Sequence, residues 1–269
     1  MAESSLFCRV VMSGDTVEVY QYKYPVKVGH ERKFDVVRSE NTNSSDGKRY
    51  DNLIRARQNV RRLIWSNQGP YTKFLTLTYA QTCLDKKKVA RDIHAFIKAM
   101  TRLGYDMKYL YVLEHQKKRG EKEGNVGSLH IHMVVFVDRF IPVDDIRKCW
   151  KHGISHIKKI DHVRNLAAYV SKYITKETIV DFGCRCYSCS LGLKRPVEEC
   201  FYSEGFSDHT YNGLHPKHVI DALKVGFHSQ MRHDFLDDNG VCRSQVVNYW
   251  QGSFRNGNPI EEAKDYIEL

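Results

Sequence analysis

Apolar positions recur with a period of two in some stretches and close to 3.6 in others, and this contrast sets out most of the elements. LFCRVVM (6–12) and TVEVYQYKY (16–24) are rich in β-branched and aromatic residues, and Ser13-Gly14-Asp15 between them suits a hairpin. The polar run 39–47 reads as an exposed loop. Residues 51–67 turn helical, with Leu53, Val60, Leu63 and Ile64 apolar and Arg55, Arg57, Arg61 and Arg62 charged, and Gly69-Pro70 ends them. An alternating region follows: strand 73–79, helix 85–103, strands 108–115 and 128–137, helix 142–150, strand 153–160 and helix 162–176. The order β-α-β-β-α-β-α predicts an α+β, ferredoxin-like fold, with a central antiparallel β-sheet flanked by helices. Three segments are expected: N-terminal strands and loop over 1–50, in the same domain as a core over 51–180, and a C-terminal extension over 181–269. The extension carries a cysteine-containing loop, a helix near 216–225 and a polar end.

Composition changes this picture in two ways. The 269 residues carry 42 Lys+Arg against 32 Asp+Glu, a net charge of +10, which favours an anionic partner such as nucleic acid. No apolar run approaches the ~18 residues of a membrane span. The start, MAESSLFCRVVMSG, shows no export signal, and no membrane partner is expected. Eight cysteines in that setting imply reduced thiols or a metal site rather than a disulfide framework. Cys184, Cys186, Cys189 and Cys200 offer four thiolates for a structural Zn²⁺, with free thiols as the alternative.

The candidate chemistry lies in the alternating region. His130 and His132 are two apart on a strand and project from one face, while Ile131 points away into the core. Two imidazoles side by side are a platform for a divalent metal; the plainer alternative is that both cap a half-buried sheet. Glu114, near the end of the preceding strand, can face them as a third ligand. His115 points to the opposite face. On the last helix Tyr169, Lys172, Tyr173 and Lys176 fall at i, i+3, i+4 and i+7, one continuous face. Val163, Leu166, Ala167, Val170 and Ile174 form a separate apolar stripe. That helix can bury one stripe and still present two phenols and two ammonium groups; packing tyrosines and solvated lysines are the alternative.

FLTLTYA (74–80), LHIHMVV (129–135) and YVSKYITK (169–176) together resemble the three ordered motifs of HUH endonucleases. They are most similar to rolling-circle replication initiators of phages and plasmids with two tyrosines four residues apart. The resemblance implies a site-specific nicking and joining enzyme for single-stranded or hairpin origin DNA. It implies Tyr169 and Tyr173 as nucleophiles helped by Lys172 and Lys176, with Mn²⁺ or Mg²⁺ held by His130, His132 and Glu114; histidine nitrogen suits Mn²⁺ better. Attack would leave a 5′-phosphotyrosine and a 3′-hydroxyl able to prime a polymerase. The chain contains no GxxxxGK[ST] loop, so a separate helicase is expected beside the polymerase. The host compartment implied is the bacterial cytoplasm. Arg55, Arg57, Arg61 and Arg62 are candidates for DNA-backbone contacts or a solvated helix face. An HUH transposase or relaxase, and a non-catalytic nucleic-acid binder, are the competing functions.

Overall fold

The structure is a computed structural model describing residues 5–27, 43–115, 127–159, 163–174, 187–202, 227–236, 242–255 and 258–259. It divides into two units, 41–194 and a second made of 1–40 with 195–269.

The first unit begins with helix α1 (Asn43–Asn67). The alternating region then folds as β3 (Lys73–Leu77), α2 (Lys86–Arg102), β4 (Lys108–His115), β5 (Leu129–Phe136), α3 (Val143–Cys149), β6 (Ser155–Lys159) and α4 (Val163–Ser171), followed by β7 (Tyr187–Cys189). Strand order is β6-β3-β5-β4-β7 with every pair antiparallel, so the expected ferredoxin-like sheet is present, with β7 added at the β4 edge.

Strand alternation sends successive side chains to two different cores. Leu129, Ile131, Met133 and Val135 pack with Val89, Ile93, Phe96 and Met100 of α2 and Ile146 of α3. Val134, Phe136, Leu110, Val112 and Phe74 pack with Leu53, Val60, Leu63 and Ile64 of α1 and with Leu166, Ala167 and Val170 of α4. A sheet apolar on both faces needs a helical layer on each. It therefore buries the intervening histidine strand at the centre of the unit.

The second unit is a sheet of β1 (Ser5–Ser13), β2 (Thr16–Lys27), β8 (Val197–Tyr202), β9 (Phe227–Leu236), β10 (Cys242–Arg255) and β11 (Asn258–Pro259), ordered β11-β10-β2-β1-β8 with β9 also on β10. The predicted first hairpin forms, turning at Gly14-Asp15 with Gly14 at φ +60°, a conformation that favours glycine.

Four sequence expectations change. The polar run at 39–47 is helical from residue 43, because Asn, Ser and Asp suit a first helical turn as well as a loop. Helix 162–176 ends at Ser171. The first strands pair with the C-terminal segment, not with the core sheet. The polar end holds the β9–β10 pair, and the helix expected near 216–225 lies outside the described residues.

Gly153 lies where the approach to β6 runs beside the residues that follow β3. A Cβ there would run into Thr78 O and stand 2.7 Å from Ala80 N, both backbone atoms that cannot swing aside. Ala80 N also donates to His152 O at 2.9 Å, which holds the two segments together. Gly153→Ala is expected to cost about 1–3 kcal/mol, the usual penalty of overpacking. Urea unfolding checks this, and an unchanged midpoint would contradict it.

Candidate active site

Strand register does the first part of the positioning. Glu114 on β4 stands directly across from His130 on β5, and His132 stands across from Val112 on one side and Thr76 on the other. Cross-strand partners share a face, so all four polar side chains lie on the α1/α4 side of the sheet. His115 is turned the other way, its Nδ1 3.2 Å from Gly127 O.

His132 is only 4% exposed. Its Nε2 is 2.8 Å from Glu114 Oε2 and its Nδ1 is 3.4 Å from Thr76 Oγ1. Burial lowers the pKa of both histidines, and Glu114 opposes that without reversing it. A neutral ring donating Nε2–H to Glu114 leaves Nδ1 to accept from the Thr76 hydroxyl.

Aromatic rings complete the enclosure. Tyr173 lies flat on His132, with centroids 3.7 Å apart and planes at 12°. Phe74 is nearly parallel to His132 at 5.9 Å, and Tyr169 meets Phe74 edge-on at 5.2 Å. The Tyr173 hydroxyl donates to the Tyr169 hydroxyl at 2.7 Å. Lys172 Nζ lies 3.8 Å from the Tyr169 ring centroid and 5.1 Å from that of Tyr173.

Tyr173 reaches this position because the helix tightens as it ends. Lys172 N still donates to Ala168 O, four residues back, but Tyr173 N donates to Val170 O and Ile174 N to Ser171 O, only three back. Buried Leu166, Ala167, Val170 and Ile174 fix this end against the sheet. Two arginines from α1 secure the turn: Arg57 Nε donates to Ile174 O at 2.9 Å, and Arg61 Nε to Ser171 Oγ at 3.2 Å. They supply cations where a helix end leaves partly negative carbonyls.

The two phenols are inequivalent. Burial pushes Tyr169 up, but the hydrogen bond from Tyr173 and the charges of Lys158 and Lys172 outweigh it, leaving Tyr169 below the usual tyrosine value. Burial, the bond to Tyr169, and the charges of Tyr169 and Glu114 raise Tyr173.

Six of the residues picked from sequence thus converge: His130, His132, Glu114, Tyr169, Tyr173 and Lys172. Lys176, Cys184 and Cys186 lie outside the described residues. Cys189 is half-buried on β7, and Cys200 is exposed on β8 of the other unit. Of the four arginines Arg55 is exposed, Arg57 and Arg61 grip the α4 end, and Arg62 is buried.

Lys158 was not singled out in the sequence, and Phe74 and Thr76 were read only as part of the FLTLTYA motif. Lys158 Nζ lies 5.4 Å from the Tyr169 ring centroid, and its register partner is Phe74. The available signal was parity: Phe74 and Thr76 alternate on β3 as His130 and His132 do on β5.

Residues 72–178 match the family model for replication-associated protein ORF2. The match contains all three motifs and every residue of the converging cluster, in agreement with the resemblance to a rolling-circle replication initiator. No curated protein and no solved structure matches the chain. No helix among the described residues is long and apolar enough to cross a membrane.

The donor set of two imidazoles and a carboxylate has the chemistry of a divalent-cation site. The contact of 2.8 Å between His132 Nε2 and Glu114 Oε2 brings two of these donors side by side. Among the described residues no three such side chains form a ready-made cluster. The His130 and His132 ring centroids are 6.4 Å apart.

Removing the hydrogen bond that Tyr173 gives to Tyr169 should raise the Tyr169 pKa, because the phenolate loses its donor. In a protein carrying ¹³C-labelled tyrosine, Tyr173→Phe is expected to shift the Tyr169 titration to higher pH, and Lys158→Gln to shift it the same way. A Tyr169 curve unmoved by either change would contradict the electrostatic account.

Proposed function

We propose that this protein is a metal-dependent endonuclease and ligase for single-stranded DNA that initiates rolling-circle replication. The supporting observation is the convergence of two hydrogen-bonded tyrosines, 2.7 Å apart, on an imidazole that itself contacts a carboxylate. Neither a sheet-capping histidine pair nor a passive nucleic-acid platform calls for that combination.

A tyrosine with a pKa near 10 is a poor nucleophile in neutral water. Here Tyr169 has three aids: the donated hydroxyl of Tyr173, and the charges of Lys172 and Lys158. The same lysines are suited to neutralising a phosphate held above the phenols. The Phe74 and Tyr173 rings and the buried sheet limit the rotamers open to the nucleophiles, so little orientational freedom is lost on reaction.

Attack by a phenolate oxygen on the scissile phosphorus forms a 5′-phosphotyrosine and releases a 3′-hydroxyl. Phosphodiester number is conserved, so the reverse step rejoins DNA without a nucleotide cofactor. With two tyrosines, one can cleave while the other still carries DNA. His130, His132 and Glu114 would hold Mn²⁺ or Mg²⁺, which when bound would polarise the scissile phosphate. Glu114 is common to both histidines, paired in register with His130 and in contact with His132. The proposed DNA partner is single-stranded or hairpin origin DNA, served by a separate helicase and polymerase.

Labelled single-stranded origin DNA incubated with the protein and Mn²⁺ should yield an adduct that survives denaturation. The Tyr169→Phe/Tyr173→Phe double variant should yield none, while each single variant keeps some one-round cleavage but completes no circles. Circle release at the wild-type rate by Tyr169→Phe would end the two-tyrosine mechanism.

Changing His132 to Ala should abolish metal-dependent cleavage, by at least about a hundredfold for loss of a metal ligand, while DNA binding changes little. Glu114→Ala should slow cleavage more than His115→Ala. Quantitative nicking assays check both, and normal nicking by His132→Ala would remove the metal from the scheme.

A further inference from the structure

Helix α2 lies on the sheet face opposite the tyrosines, and its outer side carries a row of cations that neither the core nor the active site uses. Val89, Ile93, Phe96 and Met100 form its buried stripe. At about 100° per residue, Lys87, Arg91, His94, Lys98 and Arg102 fall in an arc of about 80° on the opposite side. All five are exposed. The other positions on that side are the small residues Ala90, Ala95 and Thr101, also exposed.

This stripe contains no acid. The one acidic residue of α2, Asp92, is taken up by Lys88 Nζ at 2.6 Å and the Tyr79 hydroxyl at 3.0 Å, off to the side. The neighbouring helix α3 shows the contrast, since its Arg147 and Lys148 face Asp144 and Asp145 at 3.4 and 3.9 Å.

The N-terminus of α2 has its own carboxylate, the N-cap Asp85, which accepts from Lys87 N. Along the stripe, however, Lys87 with Arg91, and Lys98 with Arg102, are like charges at i, i+4, which repel. An anion lying along the face would relieve that repulsion.

We propose that the outer face of α2 is a docking surface for the phosphate backbone of double-stranded DNA, so that the unit engages a duplex on one side and cleaves single strands on the other. The stripe is straight and about 22 Å long. Its small residues let a backbone approach closely, and its exposed positions include no Phe, Tyr or Trp ring on which an unpaired base could stack, the imidazole of His94 being the one ring there. These features favour a duplex over single strands. The α1 arginines cannot fill this role as a set, because Arg57 and Arg61 hold the tyrosine turn and Arg62 is buried. The inference rests on reading the protein as one that acts on DNA, and the test keeps the two apart.

The full chain is compared with the variant carrying Lys87→Gln, Arg91→Gln, Lys98→Gln and Arg102→Gln together, which retains good helix formers. Fluorescence anisotropy measures binding to a fully paired DNA of about 20 base pairs, a length covering two helical turns, as KCl is raised. The variant is expected to bind at least tenfold more weakly at low salt. Its slope of log K against log salt should be shallower by about 3.6, near 0.9 for each of the four phosphates that the variant leaves unneutralised. Cleavage of a short single-stranded oligonucleotide should be unchanged.

A second variant, with Lys87→Arg and Lys98→Arg, should bind duplex like the wild type. Wild-type duplex affinity and slope in the four-fold Gln variant would overturn the proposal even with nicking intact. Tighter binding to polyglutamate than to duplex would also overturn it, in favour of an acidic protein partner. Loss of duplex binding with the predicted slope would uphold it even if neither protein nicked DNA.

Discussion

Everything at the proposed reaction centre depends on where one imidazole is held. His132 is nearly closed off from solvent, yet it remains polar and partnered, with Glu114 on Nε2, Thr76 beside Nδ1 and Tyr173 flat on its ring. Burying such a group unpaired would cost several kcal/mol, on the order of 2–7. The β3–β5–β4 register that supplies the partners is therefore under strong constraint. A slip of one residue on β5 would turn both histidines into the α2/α3 core and Ile131 and Met133 toward the tyrosines. The apolar packing of both faces thus enforces the polar geometry of one.

The tyrosines are held by a different device. Tyr173 lies beyond the last residue of α4 and is kept in place by backbone bonds three residues long, by buried Val170 and Ile174 on either side, and by the Arg57 and Arg61 side chains. Its position is consequently a joint property of α1, α4 and the sheet. The Arg-rich face of α1 is in part a clamp on the active-site turn, which explains how a helix with several arginines can pack one side of a core and leave little of that charge for solvent.

Much of the first unit was legible from sequence because its elements announce themselves by period. The HxH strand and its Glu partner follow from alternation and a hairpin, and α2 from a stripe at 3.6-residue spacing. The end of α4 was not legible, since Leu166, Val170 and Ile174 continue the helical stripe past Ser171; what ends the helix there comes from α1, more than a hundred residues away in sequence. Lys158 was missed for a similar reason, as only the β3–β6 register brings it beside Tyr169. In the second unit, local pattern announces the β1–β2 hairpin but not the rest of the sheet, because β9 is polar at most positions and β10 pairs with β2 across most of the chain's length.

The central claim is that the tyrosines beside His132 are the nucleophiles of a DNA strand transfer. The most direct measurement is mass-spectrometric mapping of the peptide linked to DNA after reaction with single-stranded origin oligonucleotide and Mn²⁺. The account predicts a nucleotide attached through phosphate to the peptide containing Tyr169 and Tyr173, with the DNA joined at its 5′ end. A linkage on another residue, joining through a 3′ phosphate, or cleavage with no linked peptide at any time point would contradict it.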